Sequence, residues 1–153
     1  MDSKPANFLK TLTVIHMALL ASLIGFALFV YSSNGGFQAG MDSEDPFIYI
    51  VPVAAAIGYF LSQYLFKKQL STITREEALN FKLSRYQSAS IQKYALLEGP
   101  ALMALFAYSS SGNALHLVIV LLLVAYLFAQ RPTAAKLIDQ LPLTREEENQ
   151  FKL

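Results

Sequence analysis

The sequence predicts an all-α integral membrane protein with four transmembrane helices, set as two tandem hairpins of the same orientation. Three observations predict it. Apolar residues make up 54% of the chain against 15% charged, and mean hydropathy is +0.40, a balance expected of a bundle in lipid rather than of a soluble domain. Four apolar stretches alternate with polar ones, and segments of the first half recur in order in the second. At 153 residues the chain is long enough for one domain,.

The first predicted span covers residues 11–31 and contains His16. It follows Lys4 and Lys10 and precedes Gln38-Ala39-Gly40, which invites a signal-peptide reading. The span exceeds the usual signal core and is required as a helix partner in the repeat, so it reads as a membrane helix. Residues 32–46 form a loop with three glycines and the acids Asp42, Glu44 and Asp45, without Lys or Arg. Their spacing is not that of an EF-hand, so these acids are expected to be solvated. The second span covers 47–66, with Pro52 tolerated in its first turns,.

Lys67 and Lys68 close that span, and a polar connector carrying Arg75, Lys82 and Arg85 continues to about Ser90. Thr74-Arg75-Glu76-Glu77 fits a capping box, which predicts a short interfacial helix,. The third span, 93–109, is joined by a tight turn to the fourth, 114–130, which Gln130-Arg131-Pro132 ends. A second capping box, Thr144-Arg145-Glu146-Glu147, lies in the tail. Lys and Arg occur in the N-terminus, connector and tail but in neither hairpin loop, so both termini are expected on the cytoplasmic side of a multi-pass inner-membrane protein of bacterial origin,.

Shifted by 77, Ala18-Leu19-Leu20 matches Ala95-Leu96-Leu97, Phe29 matches Phe106, Tyr31-Ser32-Ser33 matches Tyr108-Ser109-Ser110, and Gly35 matches Gly112. Shifted by 67, Tyr59 and Gln63 match Tyr126 and Gln130, and shifted by 70 the two capping boxes coincide, with Phe81-Lys82-Leu83 on Phe151-Lys152-Leu153. Repeats are thus expected at 1–83 and 84–153. Parallel copies imply a pseudo-two-fold axis along the membrane normal.

Glu98 belongs to one copy only, aligning with Ala21. A carboxylate in hydrocarbon costs a few kcal/mol, so it points to an ion or proton site or to a partner contact. Gly99 is expected to admit a neighbouring backbone, and Pro100 to free the carbonyl of Leu96 and kink the helix. Tyr94, four residues before Glu98, shares its face and is the expected intrahelical partner, ahead of Lys93. His16 lies at a comparable depth and could meet Glu98, although a bond to a backbone carbonyl or to Ser22 is the simpler expectation; His116 belongs at the opposite face. Tyr59 with Gln63 and Tyr126 with Gln130 are i, i+4 pairs expected to join helices by hydrogen bonds.

Tandem hairpins with one embedded glutamate, in Leu97-Glu98-Gly99-Pro100, resemble the duplicated proteolipid subunits of rotary ATPases, the c-ring family. The resemblance is architectural, carries over Glu98 alone, and implies ring assembly with ion passage at the carboxylate. In that family the acid usually lies in the second helix of a hairpin, whereas Glu98 lies in the first. The chain also looks like the small four-span proteins common in bacterial membranes.

No phosphate loop, nucleophilic triad or metal-ligand spacing occurs, and there is no cysteine,. The expectation is therefore a non-enzymatic accessory or scaffold subunit, or a homo-oligomer, without cofactor or metal. Its expected partners are the lipid bilayer and either itself or other membrane subunits, and a near-neutral chain of net charge +1 gives no reason for nucleic acid,. The alternative is a small proton- or cation-handling channel, transporter or proteolipid that depends on Glu98.

Overall fold

A computed structural model describes residues 5–34, 36–40 and 44–151, and these are helical without strands. Lys4, Gly35, Asp42, Lys152 and Leu153, all used above, lie outside the described residues. Four long helices, α1 (Pro5–Asn34), α2 (Phe47–Leu70), α3 (Leu79–Ser111) and α4 (Ala114–Ala129), are followed by two short ones, α5 (Ala134–Gln140) and α6 (Arg145–Asn149).

Two helices, α1 and α2, are long and apolar enough to cross a membrane, and α4 with α5 forms a third candidate if that pair, bent by 81°, is one span. The sixteen residues of α4 reach only ~24 Å by themselves at about 1.5 Å per residue. The longest helix, α3, is polar through its first turns and contains Lys93 and Glu98. The surface is inverted relative to a soluble bundle. Phe29, Phe60, Phe106 and Leu121 are 64–69% exposed, while His16, Lys82 and His116 are completely buried, as lipid demands of apolar and polar side chains.

Packing centres on α3, which lies against α1, α2 and α4; α4 also touches α1 and α2. Across the bundle α3 and α4 form the middle, with α1 and α2 on opposite flanks and no packed interface between them. The expected first hairpin is therefore not a packed hairpin. A two-fold exchange of the halves would require α1 to pack on α2 as α3 packs on α4, and it does not. The physical reason is loop length: residues 112–113 turn α3 tightly back as α4, whereas residues 35–46 allow α1 and α2 to part.

The tight turn uses Gly112 at φ +68°, a left-handed conformation that favours glycine,. Asn113 then caps α4 by accepting from the Leu115 amide at 2.9 Å,. The longer loop is stitched across this turn. Gln38 donates its amide to the Gly112 carbonyl (3.0 Å) and accepts from the Ala114 amide (2.9 Å). Asn34 donates to the Tyr108 carbonyl (2.7 Å), Tyr108 to the Gly36 carbonyl (3.0 Å) and Asn113 to the Gly40 carbonyl (2.8 Å). Asp45 departs from the expected solvated acid. It lies 3.3 Å from buried His116 and accepts from the Phe47 amide at 2.9 Å. Burial acts to raise its carboxyl, but those contacts outweigh it and hold the group below its ordinary value,.

At the opposite end the expected connector helix is absent as a separate element. Glu77 accepts from the Thr74 amide at 3.2 Å, half of the anticipated box, but the helix begins only at Leu79 and continues unbroken into the predicted third span. The tail box is complete, with Thr144 and Glu147 reciprocally bonded at the start of α6. Lys82 gathers this end: its ammonium donates to the carbonyls of Arg75 (2.8 Å) and Pro142 (3.1 Å) and to Glu147 (2.9 Å).

Glu147→Gln leaves the Lys82 cation buried without a counter-charge and is expected to cost about 3–5 kcal/mol. Burial tends to raise the Glu147 carboxyl, but the Thr144 amide and Lys82 outweigh it and lower the group overall. Its folded value therefore lies below the unfolded one, so its stabilisation is present above about pH 4.3 and is lost as pH falls through the lower folded value. Thermal unfolding in detergent, followed by circular dichroism across acid pH, should show that loss in the parent and a flatter acid limb in Glu147→Gln.

Candidate functional site

One group of polar side chains gathers around the middle of α3, where helical spacing divides it. Leu79, Leu83, Tyr86, Ser90, Lys93, Tyr94, Leu97, Ala101, Ala104, Leu105 and Tyr108 run along α3 at three- and four-residue intervals and face inward,. Gln92, Ala95, Gly99, Leu102, Met103 and Phe106 form the exposed strip. Glu98 sits at the edge between the two faces and is half-buried.

Two of the expected close neighbours of Glu98 turn away from it. Tyr94 is buried, donates to the Gln130 carbonyl at 3.4 Å and meets the His16 ring edge-on at 4.8 Å between centroids. His16, completely buried, donates from Nε2 to the Leu127 carbonyl at 2.8 Å. A carbonyl only accepts, which places the ring proton on Nε2. No pairing of His16 with Glu98 forms, and the backbone-carbonyl expectation describes its geometry. Lys93 also points elsewhere, donating to the Gln130 side-chain oxygen at 2.5 Å while its ammonium lies 4.4 Å from the Phe66 ring centre. The Glu98 carboxylate is left without a hydrogen bond or ion pair among the described residues.

The expected glutamine and tyrosine pairs are brought together across helices. Gln63 of α2 donates to the Tyr126 hydroxyl of α4, and the rings of Tyr59 and Tyr126 lie 4.9 Å apart. With Lys93 on Gln130 and Tyr94 on the Gln130 carbonyl, α2, α3 and α4 are joined by side chains near the ends of α2 and α4. Beside this network a cavity of about 470 Å³ opens between α2, α3 and α5, lined by Gln63, Phe66, Lys67, Lys93, Gln130 and Gln140, with Asp139 also on its wall. Tyr86 supports it from below by donating to Gln140 at 3.0 Å, and burial pushes its hydroxyl up to about 12, so it remains a donor at neutral pH.

The expected backbone approach at Gly99 is not found: a Cβ there would meet nothing within 4 Å. The approach occurs at Gly58 on α2. A Cβ there would lie 2.6 Å from the Leu96 carbonyl oxygen and 2.7 Å from Pro100 Cγ. Pro100 does free the Leu96 carbonyl from its helical donor, and the glycine allows α2 to close over that oxygen. α3 remains one continuous helix through Pro100. The sequence contained this answer, because Gly58 follows the small residues Ala54, Ala55 and Ala56 closely and with them offers α2 a close helix contact,. The burial of Lys93 and Lys82 was concealed because each reads as an ordinary interfacial base.

Among the described residues no group of three His, Cys, Asp or Glu side chains could hold a metal ion. Comparison with protein-family models, with curated proteins and with solved structures finds no match.

Gly58→Ala is expected to destabilise the fold by about 1–3 kcal/mol through overpacking. Gly99→Ala, on an open helix face, is expected to be neutral or stabilising by up to about 1 kcal/mol. Paired thermal melts of the two variants in one detergent check the assignment, and equal losses would contradict it.

Proposed function

We propose that this chain is a non-enzymatic subunit of a membrane assembly, with four helices crossing the bilayer, both termini on the cytoplasmic side, and Glu98 as its contact to a partner helix. The observation that carries the reading is the Glu98 carboxylate, set at the edge of an exposed strip without a hydrogen bond or ion pair among the described residues. Ionised carboxylates in hydrocarbon cost a few kcal/mol and are relieved by a cation or donor from another helix. Ala95 and Gly99 beside it leave room for a second backbone, the arrangement by which transmembrane helices associate most closely.

The four-span arrangement is supported by the ends of the bundle. The two helix-joining loops meet at one end, at Gln38 and Asn113, and carry no Lys or Arg. Lys67, Lys68, Arg131 and Lys136 collect at the other end, and α5 turns away from α4 by 81° as a helix leaving the bilayer for its surface would. Single cysteines can be introduced cleanly, since the chain has none. In oriented membranes Ser109→Cys should react with an impermeant thiol reagent from outside only and Ser84→Cys from the cytoplasmic side only. Labelling of both from one side would refute the topology.

Native mass spectrometry of gently extracted protein tests the assembly. The parent should carry partner subunits or further copies of itself, and Glu98→Ala should weaken that association about tenfold, the scale of a polar contact worth about 1–2 kcal/mol between membrane helices. A cysteine at Gly99 should crosslink to the partner. A monomeric parent whose liposomes carry a proton flux abolished by Glu98→Gln would overturn the subunit reading in favour of an ion-handling protein.

A further inference from the structure

A second charge in the bundle lacks a counterpart, and unlike Glu98 it faces a cavity. Lys93 is 94% buried by its 6% exposure, yet no carboxylate among the described residues is paired with it. Its ammonium makes one hydrogen bond, to Gln130, and rests over Phe66. An ammonium has three protons to donate, so two lack an acceptor among the described residues,. Further positive charge acts on it from Lys136 and Lys67. A buried cation without a counter-ion is costly by several kcal/mol and calls for an anion. Lys82, eleven residues earlier on the same helix, shows the contrast: its ammonium has two carbonyls and a carboxylate around it.

The cavity that opens on Lys93 has the chemistry to supply that anion. Lys67 stands at its mouth, the amides of Gln63 and Gln140 line it, and Phe66 provides an apolar wall. Asp139, also lining it, is exposed and forms no ion pair with Lys93. A point-charge amine and neutral amides suit the tetrahedral oxygens of a phosphate. The position selects the source. The cavity lies between the basic end of α2 and α5, which turns from α4 by 81°, one turn along α2 from exposed Phe60 and beside exposed Tyr64, which offer acyl chains a surface,.

We propose that this cavity binds the phosphate of an anionic phospholipid headgroup, with Lys93 as the buried cation and Lys67 as the entry cation. The inference rests on the four-span arrangement proposed above and is independent of the assembly role of Glu98.

The probe is phosphatidylglycerol added to the detergent-purified full chain, compared by native mass spectrometry with phosphatidylcholine of the same acyl chains and with inorganic phosphate. Phosphatidylglycerol should remain bound in preference to phosphatidylcholine. Lys93→Met should weaken its retention about tenfold or more, the loss expected for charged hydrogen bonds, and Lys93→Arg should restore part of it. Lys67→Gln, at an exposed position, should weaken retention while leaving the melting temperature unchanged, and so serves if Lys93→Met does not fold. Glu98→Ala should retain the lipid, which separates this site from the assembly contact. Equal retention of both lipids, indifference to Lys67→Gln, or binding of inorganic phosphate alone would overturn the proposal. In the last case the thiol-labelling result decides whether the four-span arrangement has failed with it.

Discussion

The close passage of α2 over α3 at Gly58 sets the terms for the rest of the bundle. Pro100 strips the Leu96 carbonyl of its helical donor, and Gly58 is the one place where α2 can cover that oxygen without a side chain in between. From this crossing the two helices run together toward the basic end. That path brings Phe66 under Lys93 and Gln63 to Tyr126, and leaves the cavity between them. A larger residue at position 58 would push α2 outward, and the network at Gln130 would lose its geometry before any of its own members changed.

The two sides of α3 meet opposite demands. Inward, every polar group is costly unless bonded, and most are: Tyr94 and Lys93 on Gln130, His16 on Leu127, Tyr108 on the Gly36 carbonyl,. Outward, the strip of Ala95, Gly99, Leu102, Met103 and Phe106 needs no partner for its apolar atoms. Glu98 on one side and Lys93 on the other are the charges that these rules do not absorb. They stand five residues apart on one helix yet lie on different faces, so they do not neutralise each other. Glu98 sits at the edge of the exposed strip, and Lys93 opens on the cavity between α2, α3 and α5.

The helical class and the long apolar helices were legible because periodicity and composition survive in lipid as they do in water. The ends of α1, α2 and α4 fall within a few residues of the predicted spans, apart from the extra turns at the start of α1. The onset of α3 was misread because the charges of 75–85 suggest an interface, while the inward spacing of Leu79, Leu83, Tyr86 and Ser90 already continues into the apolar stretch. The duplication was inferred from matching residues, and matching residues do not specify which helices become neighbours: that depends on how far a loop lets two helices part. The site was legible in its members more than in its pairings. Gln63 and Tyr126 join helices as expected of the glutamine and tyrosine pairs, but Lys93, expected near Glu98, bonds Gln130 instead, and Tyr94 and His16 serve each other and the backbone rather than Glu98.

The segment of residues 36–40 lies across the turn that joins α3 to α4, because α1 and α2 stand on opposite flanks of that pair. It therefore has nothing to rest on until the turn at Gly112 and Asn113 exists, and α1 and α2 have no surface to offer each other in its absence. A ribosome delivers the halves in the opposite order. Until the later pair is made, the first two helices lack the surface against which each of them packs in the finished bundle,. The latter half of the chain is thus the template, and a truncation after α2 would leave two inserted helices without a tertiary structure.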